Sequence, residues 1–284
     1  MNHFLREQSC RHGRFFYNVN DEYVGRSLNL YGEWAESEVH VFEQIVQAGE
    51  VVLEAGANVG THTVPLAKLV GTTGRVHAFE PQGFTHQLLC ANLIANGCTN
   101  TRAWNCAIGA MPGEVTFPEL DAGHSNNFGG ASMHDQSHVR RPVRMESVDA
   151  LALPRLDFLK ADIEGYEPEL LKGARQTIER DRPVAFIESV NHYTGDITGF
   201  LKDYFLPLGY QCWHYITPLY NVQNFNRLAQ NIFTGAWSFD LLCTPAERFE
   251  VVGLDNAEMH PTECHDPDLW RHARVTRKAA AAHT

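Results

Sequence analysis

A transmembrane helix needs about 20 consecutive apolar residues, and no run in this sequence approaches that length. The N-terminus also lacks the apolar core of a secretory leader. Cysteine pairing motifs are missing. The seven cysteines (Cys10, Cys90, Cys98, Cys106, Cys212, Cys243 and Cys264) are scattered, and no two stand as Cys-x-x-Cys. An odd, unpatterned set points to reduced thiols and a cytoplasmic protein. Positive charge is scarce: 23 Lys and Arg face 34 Asp and Glu, a net charge of −11. Long-range electrostatics then favours neither a nucleic acid nor an anionic membrane as partner. There is no internal repeat. With 284 residues, 44% of them hydrophobic, the chain is long enough for one large domain with extensions.

What is present is a strand–turn–helix signature. Val51-Val52-Leu53-Glu54 is a short apolar run ending in an acid, and Ala55-Gly56-Ala57-Asn58-Val59-Gly60-Thr61-His62 reads as a turn entering a helix. The dinucleotide fingerprint Gly-x-Gly-x-x-Gly is absent, because Asn58 occupies the place of its second glycine. A pyrophosphate on a helix N-terminus needs close backbone approach and no opposing charge. Glu54 beside the turn instead suits a cationic or hydroxylated ligand, and S-adenosylmethionine has that chemistry. An ordinary strand–helix connection, with glycines needed only for positive φ, is the competing reading. Context favours the ligand. Arg75 to Phe79 reads as a second strand, and Glu80-Pro81 follows it, about 20 residues beyond the glycines, where a ribose-binding acid is expected. A carboxylate can accept hydrogen bonds from both ribose hydroxyls.

The remaining pattern alternates strands and helices. Arg14 to Val19 has strand character, and Val39, Phe42 and Val46 mark a helix before the first sheet strand. Trp34 either packs in the core or closes one side of the pocket. Helices follow around Val64 to Val70, from about Gln82 to Gly97, after Pro168, and near Ile197 to Phe205. Further strands are expected at Thr101 to Ala107, Leu156 to Ala161, Pro183 to Glu188, Gly209 to Tyr215 and Ser238 to Cys243, with two short ones near Val115 and Val139. The glycine-rich stretch from Asp121 to Ser132 is either an active-site cover or a surface loop. Asp162, Glu164 and Glu167 cluster at one strand end. They could form a solvated helix N-terminus or present a carboxylate to a substrate. Tyr220 to Asn226 interleaves aromatics with amides, as sugar sites do, while Trp213 and Tyr215 suit a core.

Taken together, Glu54 to Gly60, Ala78-Phe79-Glu80-Pro81, Leu159 to Glu167 and Leu171 to Ala174 resemble the FkbM-family methyltransferases, within the class I S-adenosylmethionine-dependent enzymes. Tyr31 to Trp34 and Asn127 to Gly130 also resemble family features. The likeness spans roughly residues 28 to 245. Glu54 departs conservatively from the family's more usual Asp, and Ile163 from valine. The resemblance implies an α/β, Rossmann-like fold with a seven-stranded, mostly parallel sheet, helices on both faces and an N-terminal accessory segment. The expected division is 1–48 for that segment, 49–245 for the methyltransferase domain and 246–284 for an extension with a disordered end.

The resemblance further implies methyl transfer to a hydroxyl, often of a sugar or glycan. Glu54, Gly56, Ala57, Asn58, Gly60 and Thr61 would surround the methionine part of S-adenosylmethionine. Glu80 with Pro81 would hold the ribose, Asn105, Cys106 and Ala107 would border the adenine, and Asp162 would face the sulfonium. General-base candidates are Asp162, Glu164, Glu188 and His192, with Asp162 and His192 favoured by their positions at strand ends. Asp162, Glu188 and Asn191 are oxygen ligands that could hold Mg²⁺. The alternatives are a natural-product hydroxyl or amine as acceptor, and a non-enzymatic S-adenosylmethionine-binding protein.

Overall fold

The computed structural model describes residues 4–136, 139–257 and 268–279. Cys264 and the expected disordered end from 280 onward lie outside the described residues. The chain opens with a hairpin of β1 (Leu5–Cys10) and β2 (Gly13–Asn18), Leu5 opposite Asn18. Then come α1 (Val24–Tyr31), stopped by left-handed Gly32 at φ 67°, and α2 (Glu36–Ile45), whose Val39, Phe42 and Ile45 are buried.

Three strands alternate with two helices: β3 (Val51–Ala55), α3 (Thr63–Val70), β4 (Arg75–Phe79), α4 (Gly83–Ala95) and β5 (Thr101–Trp104). An insertion adds β6 (Ala107–Ile108), β7 (Gly113–Pro118) and β8 (Arg140–Glu146), which form a small sheet in the order β6-β8-β7. The chain returns through β9 (Phe158–Ala161), α5 (Glu167–Lys172), α6 (Arg175–Asp181) and β10 (Val184–Glu188). It then adds a small ribbon of β11 (Val190–Asn191) and β12 (Gly195–Asp196), α7 (Thr198–Phe205), the long strands β13 (Tyr210–Pro218) and β14 (Trp237–Pro245), and a ribbon of β15 (Phe249–Val252) and β16 (Arg274–Arg277).

The main sheet has seven strands in the order β13-β14-β10-β9-β3-β4-β5. From β10 to β5 every pairing is parallel, whereas β14 runs antiparallel to both β10 and β13. Side chains alternate across it, and neighbouring residues enter different cores. Val52, Phe158, Val184, Phe186 and Leu242 join one cluster with Phe42, Leu66 and Leu89. Leu53, Leu159, Ala185, Ile187 and Leu241 join another with Leu170, Ile178, Leu201 and Phe205. Both neighbours of the β3–β9 pair lead away in sequence, so the chain crosses over there, and its carboxyl ends leave a crevice.

Several elements differ from the sequence reading. The strand expected through Ala107 stops at Trp104, and the next two residues carry the chain into the small sheet. The helix after Pro168 is two helices, interrupted where Gly173 passes the backbone of Gly109. β1, α1 and the β15–β16 ribbon carry little periodicity and were not foreseen. That ribbon is bolted to α2: the Val275 N–H donates to Gln44 Oε1 at 3.0 Å, and Arg277 donates to the Ile45 carbonyl at 3.1 Å.

Candidate active site

A cleft of about 230 Å³ lies over the carboxyl ends of the parallel strands, lined there by Gly56, Glu80, Lys160, Asp162 and Glu188. Its first wall depends on close packing of two loops. Ala55 pairs with Ala161, so the chains leaving β3 and β9 run against each other. A Cβ on Gly56 would lie 1.8 Å from the Asp162 carbonyl oxygen, and Gly56 also sits at φ +81°. Only glycine satisfies both conditions.

Glu80 links that wall to the next. Its Oε2 accepts the Asn58 N–H at 3.0 Å and its Oε1 accepts the Gln82 N–H at 2.8 Å. Burial pushes this carboxyl up to about 7, although the two N–H groups favour the ionised form. Each oxygen keeps a lone pair for a ligand hydroxyl. Ala57, Asn58, Thr61, Pro81, Cys106 and Ala107 line the same cavity. Asn105 is not in the lining. Its Nδ2 donates to the carbonyls of Glu80 and Pro81, each at 3.0 Å, and so shapes the wall from behind.

Glu54 and Gly60 also stand outside the lining. The Thr63 hydroxyl donates to Glu54 Oε2 at 2.6 Å beneath the cleft floor. Burial lifts Glu54 to about 7, with Lys160 and Thr63 opposing the rise. Gly60 faces Leu89, which a Cβ would approach to 2.8 Å.

The far end is acidic. Carboxylate oxygens of Asp162, Glu164 and Glu188 all lie within 4.8 Å of one another. The turn that brings Glu164 back has two successive positive φ values, 54° at Glu164 and 93° at Gly165. It is tied by the Ile163 N–H donating to Glu167 Oε1 at 2.8 Å. Burial raises Glu164 to about 8, helped by the charges of Asp162 and Glu167. Burial also carries Glu188 well above the usual carboxylate range, with Asp162, Glu164 and Glu167 adding to it. One buried cation faces this excess: Lys160 Nζ lies 3.2 Å from Asp162 Oδ2. Burial depresses Lys160, but Asp162, Glu38, Glu54 and Asp240 together hold it above the ordinary lysine value.

Two expected residues are placed elsewhere. His192 is exposed and outside the lining, its ring 5.4 Å from that of Tyr193. Asn191 Oδ1 is taken by the N–H groups of Tyr193 and Thr194, both at 3.0 Å. The oxygen set that could hold a divalent cation is therefore Asp162, Glu164 and Glu188, with Glu164 in the place expected for Asn191.

The glycine-rich stretch covers the cleft: Asn127, Phe128, Gly129, Gly130, Ala131 and Met133 all line it. Hydrogen bonds at both of its ends hold it down. Ser132 Oγ donates to the Glu164 carbonyl at 2.6 Å, Tyr193 Oη donates to the Gly130 carbonyl at 3.1 Å, and the Asn126 N–H donates to the Asn20 carbonyl at 3.0 Å. Trp34 lines the cleft with Tyr23, and both pack on Phe233 at ring distances of 6.3 and 5.8 Å. The Tyr220–Asn226 stretch does not contribute. Its Asn221 donates to Glu33 at 2.8 Å and its Tyr220 hydroxyl to the Leu228 carbonyl at 3.1 Å, so these polar groups fasten the loop to itself and to the N-terminal segment. Tyr215 is fully buried, its hydroxyl donating to the Ser37 carbonyl at 2.5 Å.

Sequence reasoning missed Lys160, Glu38, His62 and Trp237 to Phe239, all of which line the cleft. Lys160 did leave a signal, a charge inside the apolar strand Phe158 to Ala161. Glu38 and His62 left none, since each reads as a polar residue on a helix.

The methyltransferase FkbM domain model matches residues 54–212. A hexuronic acid methyltransferase of Haloferax volcanii, AglP, is 25% identical over 159 residues, covering 56% of this chain and 63% of that protein. Methyltransferase sdnD of Sordaria araneosa is 26% identical over 154 residues, 43% of this chain and 59% of that protein. The chain thus spans under two thirds of either relative. A methyltransferase FkbM structure from Methylobacillus flagellatus KT overlaps 78% of this chain and 55% of its own, at 18% identity and a TM-score of 0.46. With the family model matched over more than half its length, the chain belongs to the FkbM methyltransferase domain family.

Proposed function

We propose that this protein transfers the methyl group of S-adenosylmethionine to a hydroxyl oxygen of a sugar or glycan-linked acceptor. The observation that carries the reading is the cleft itself: Glu80 with free lone pairs at one end, and Asp162, Glu164 and Glu188 converging within 4.8 Å at the other. Glu80 accepts from the ribose hydroxyls. Gly56, Ala57, Asn58 and Thr61 border the methionine part, and Pro81, Cys106 and Ala107 the adenine. The bound cofactor supplies a methyl already activated on a sulfonium. What remains for the protein is to position the acceptor oxygen in line, remove its proton and exclude water.

Asp162 takes the proton, with Lys160 3.2 Å away holding its carboxylate in place. Glu164 and Glu188, both raised by burial with neighbouring carboxylates adding to the rise, act as hydrogen-bond partners to neighbouring hydroxyls. His192 has no part in this scheme, since it lies off the cleft. Tyr23 and Trp34 offer flat apolar faces of the kind sugar rings stack on. The relative named as a hexuronic acid methyltransferase supports the sugar assignment. Six free cysteines among the described residues are in keeping with action in the cytoplasm.

The test is incubation of the purified protein with S-adenosylmethionine and separate panels of uronic acids, neutral sugars, phenols and amines, with and without Mg²⁺. A methyl ether on a sugar supports the reading. Methylation confined to amines or phenols overturns the acceptor class. Dependence on Mg²⁺, abolished by a chelator, would assign Asp162, Glu164 and Glu188 a metal.

A further inference from the structure

Glu38 and His62 come from different elements, α2 and the residue preceding α3. Both line the cleft, and each is 4% exposed. Their side chains meet at Oε2 and Nε2, 3.7 Å apart, too far for a direct hydrogen bond. Neither atom has a hydrogen-bond partner among the described residues. The tautomer of His62 follows from its other nitrogen. The ring bonds to the Ala35 backbone, and with Nε2 unpartnered that bond is Nδ1–H donating to the carbonyl. Burial and the nearby Lys160 keep the imidazole neutral. Nε2 is then a lone pair. Two buried atoms without partners face each other across a gap too wide to bond, and a donor between them would bond both. A nitrogen about 2.8 Å from each closes the gap.

The surrounding charge selects the donor's sign. Burial raises the Glu38 carboxyl well above the usual range, Asp240 and Asp162 add to the rise, and Lys160 and the Ser238 side chain oppose it, so a cation placed here favours its ionised, accepting form. A cationic N–H donor is favoured over a neutral hydroxyl. Position selects its source. Going along the sheet, the cleft passes from Cys106 and Ala107 after β5, past Glu80 after β4, to Gly56–Thr61 after β3, and Glu38 and His62 stand beyond that turn. Resting on the donor-site reading above, we propose that Glu38 Oε2 and His62 Nε2 form a two-acceptor clamp for the α-ammonium of S-adenosylmethionine. The accessory helix α2 is then part of cofactor recognition. Its attachment to the C-terminal ribbon through Gln44 and Ile45 sets the position of the clamp.

Calorimetric titration of the full chain tests this with two ligands, S-adenosylhomocysteine and its analogue bearing hydrogen in place of the α-ammonium. Wild type should prefer the first by roughly tenfold to hundredfold. Glu38→Gln and His62→Phe should each shrink that preference while leaving the analogue's affinity unchanged. Equal affinities in wild type overturn the clamp without any variant. A loss that falls equally on both ligands in folded variants also overturns it. Binding of neither ligand to wild type is a different failure: it removes the donor-site reading and the clamp together.

Discussion

Glu80 accepts two main-chain N–H groups as well as facing the cleft. Its carboxylate is therefore oriented before a ligand arrives. Removing it loses the ligand's bonds and frees the Asn58 and Gln82 loops. Hydrogen bonds to charged groups contribute about 1.5–3 kcal/mol each. Glu80→Ala should weaken S-adenosylmethionine binding by tenfold to hundredfold (roughly one such bond) in calorimetry. Unchanged affinity would remove Glu80 from the ribose. Asp162 makes the opposite case, because its work is in the reaction. General-base removal typically costs about 10²–10⁴ in rate. Asp162→Asn should therefore lower kcat by at least about 100-fold while changing donor affinity little. A fully active variant would eliminate Asp162 as the base.

At the scale of elements, the connections decide more than the strands. β3 and β9 pair in parallel, and that register brings Gly56 against Asp162. The break between α5 and α6 has the same origin. A Cβ on Gly173 would lie 2.1 Å from the Gly109 carbonyl oxygen and 2.8 Å from Ser147 Cβ, both rigid neighbours. Its φ is −81°, so the conformation itself suits any residue. Gly173→Ala should then act by overpacking alone, destabilising by about 1–3 kcal/mol. Thermal unfolding should show Tm lower by roughly 2–10 °C, and an unchanged Tm would mean that the 109–110 segment yields freely. The strand–turn–helix units were legible because period and turn chemistry are local. The helix break and the β15–β16 ribbon were not, because they depend on contacts with backbone distant in sequence.

For the whole molecule, the acids beneath and around the cleft set a pH dependence. Glu54, Glu80 and Asp240 are each lifted by burial to about 7. The unfolded chain releases these protons near the ordinary carboxylate values, whereas the folded chain retains them until about 7. Between those limits the native state binds more protons, so stability falls as pH rises. The ligand-free Tm should drop between about pH 5 and about pH 8. A cationic ligand prefers the ionised carboxylates, so its affinity moves the other way. The Tm increase given by S-adenosylmethionine should grow over the same interval. Thermal scans with and without ligand check both signs, and parallel curves would show that these acids do not contact the ligand's charge.

The sequence by itself determined the order of the parallel units, the glycine turn after β3 and the acids at successive strand ends. Those features are written in short windows, through side-chain alternation and the positive φ that Gly56 and Gly60 must adopt. Only the tertiary structure decided which acids face the cleft. Glu54 turned inward to Thr63, and Glu164 replaced Asn191 beside Asp162 and Glu188. Lys160 found its partner at the strand end, Glu38 of α2 met His62 just before α3, and Asn221 bonded to distant Glu33. The physical reason is that convergence depends on strand register and on which distant surfaces pack. A burial energy shared among residues far apart in sequence leaves no mark in any one stretch of it.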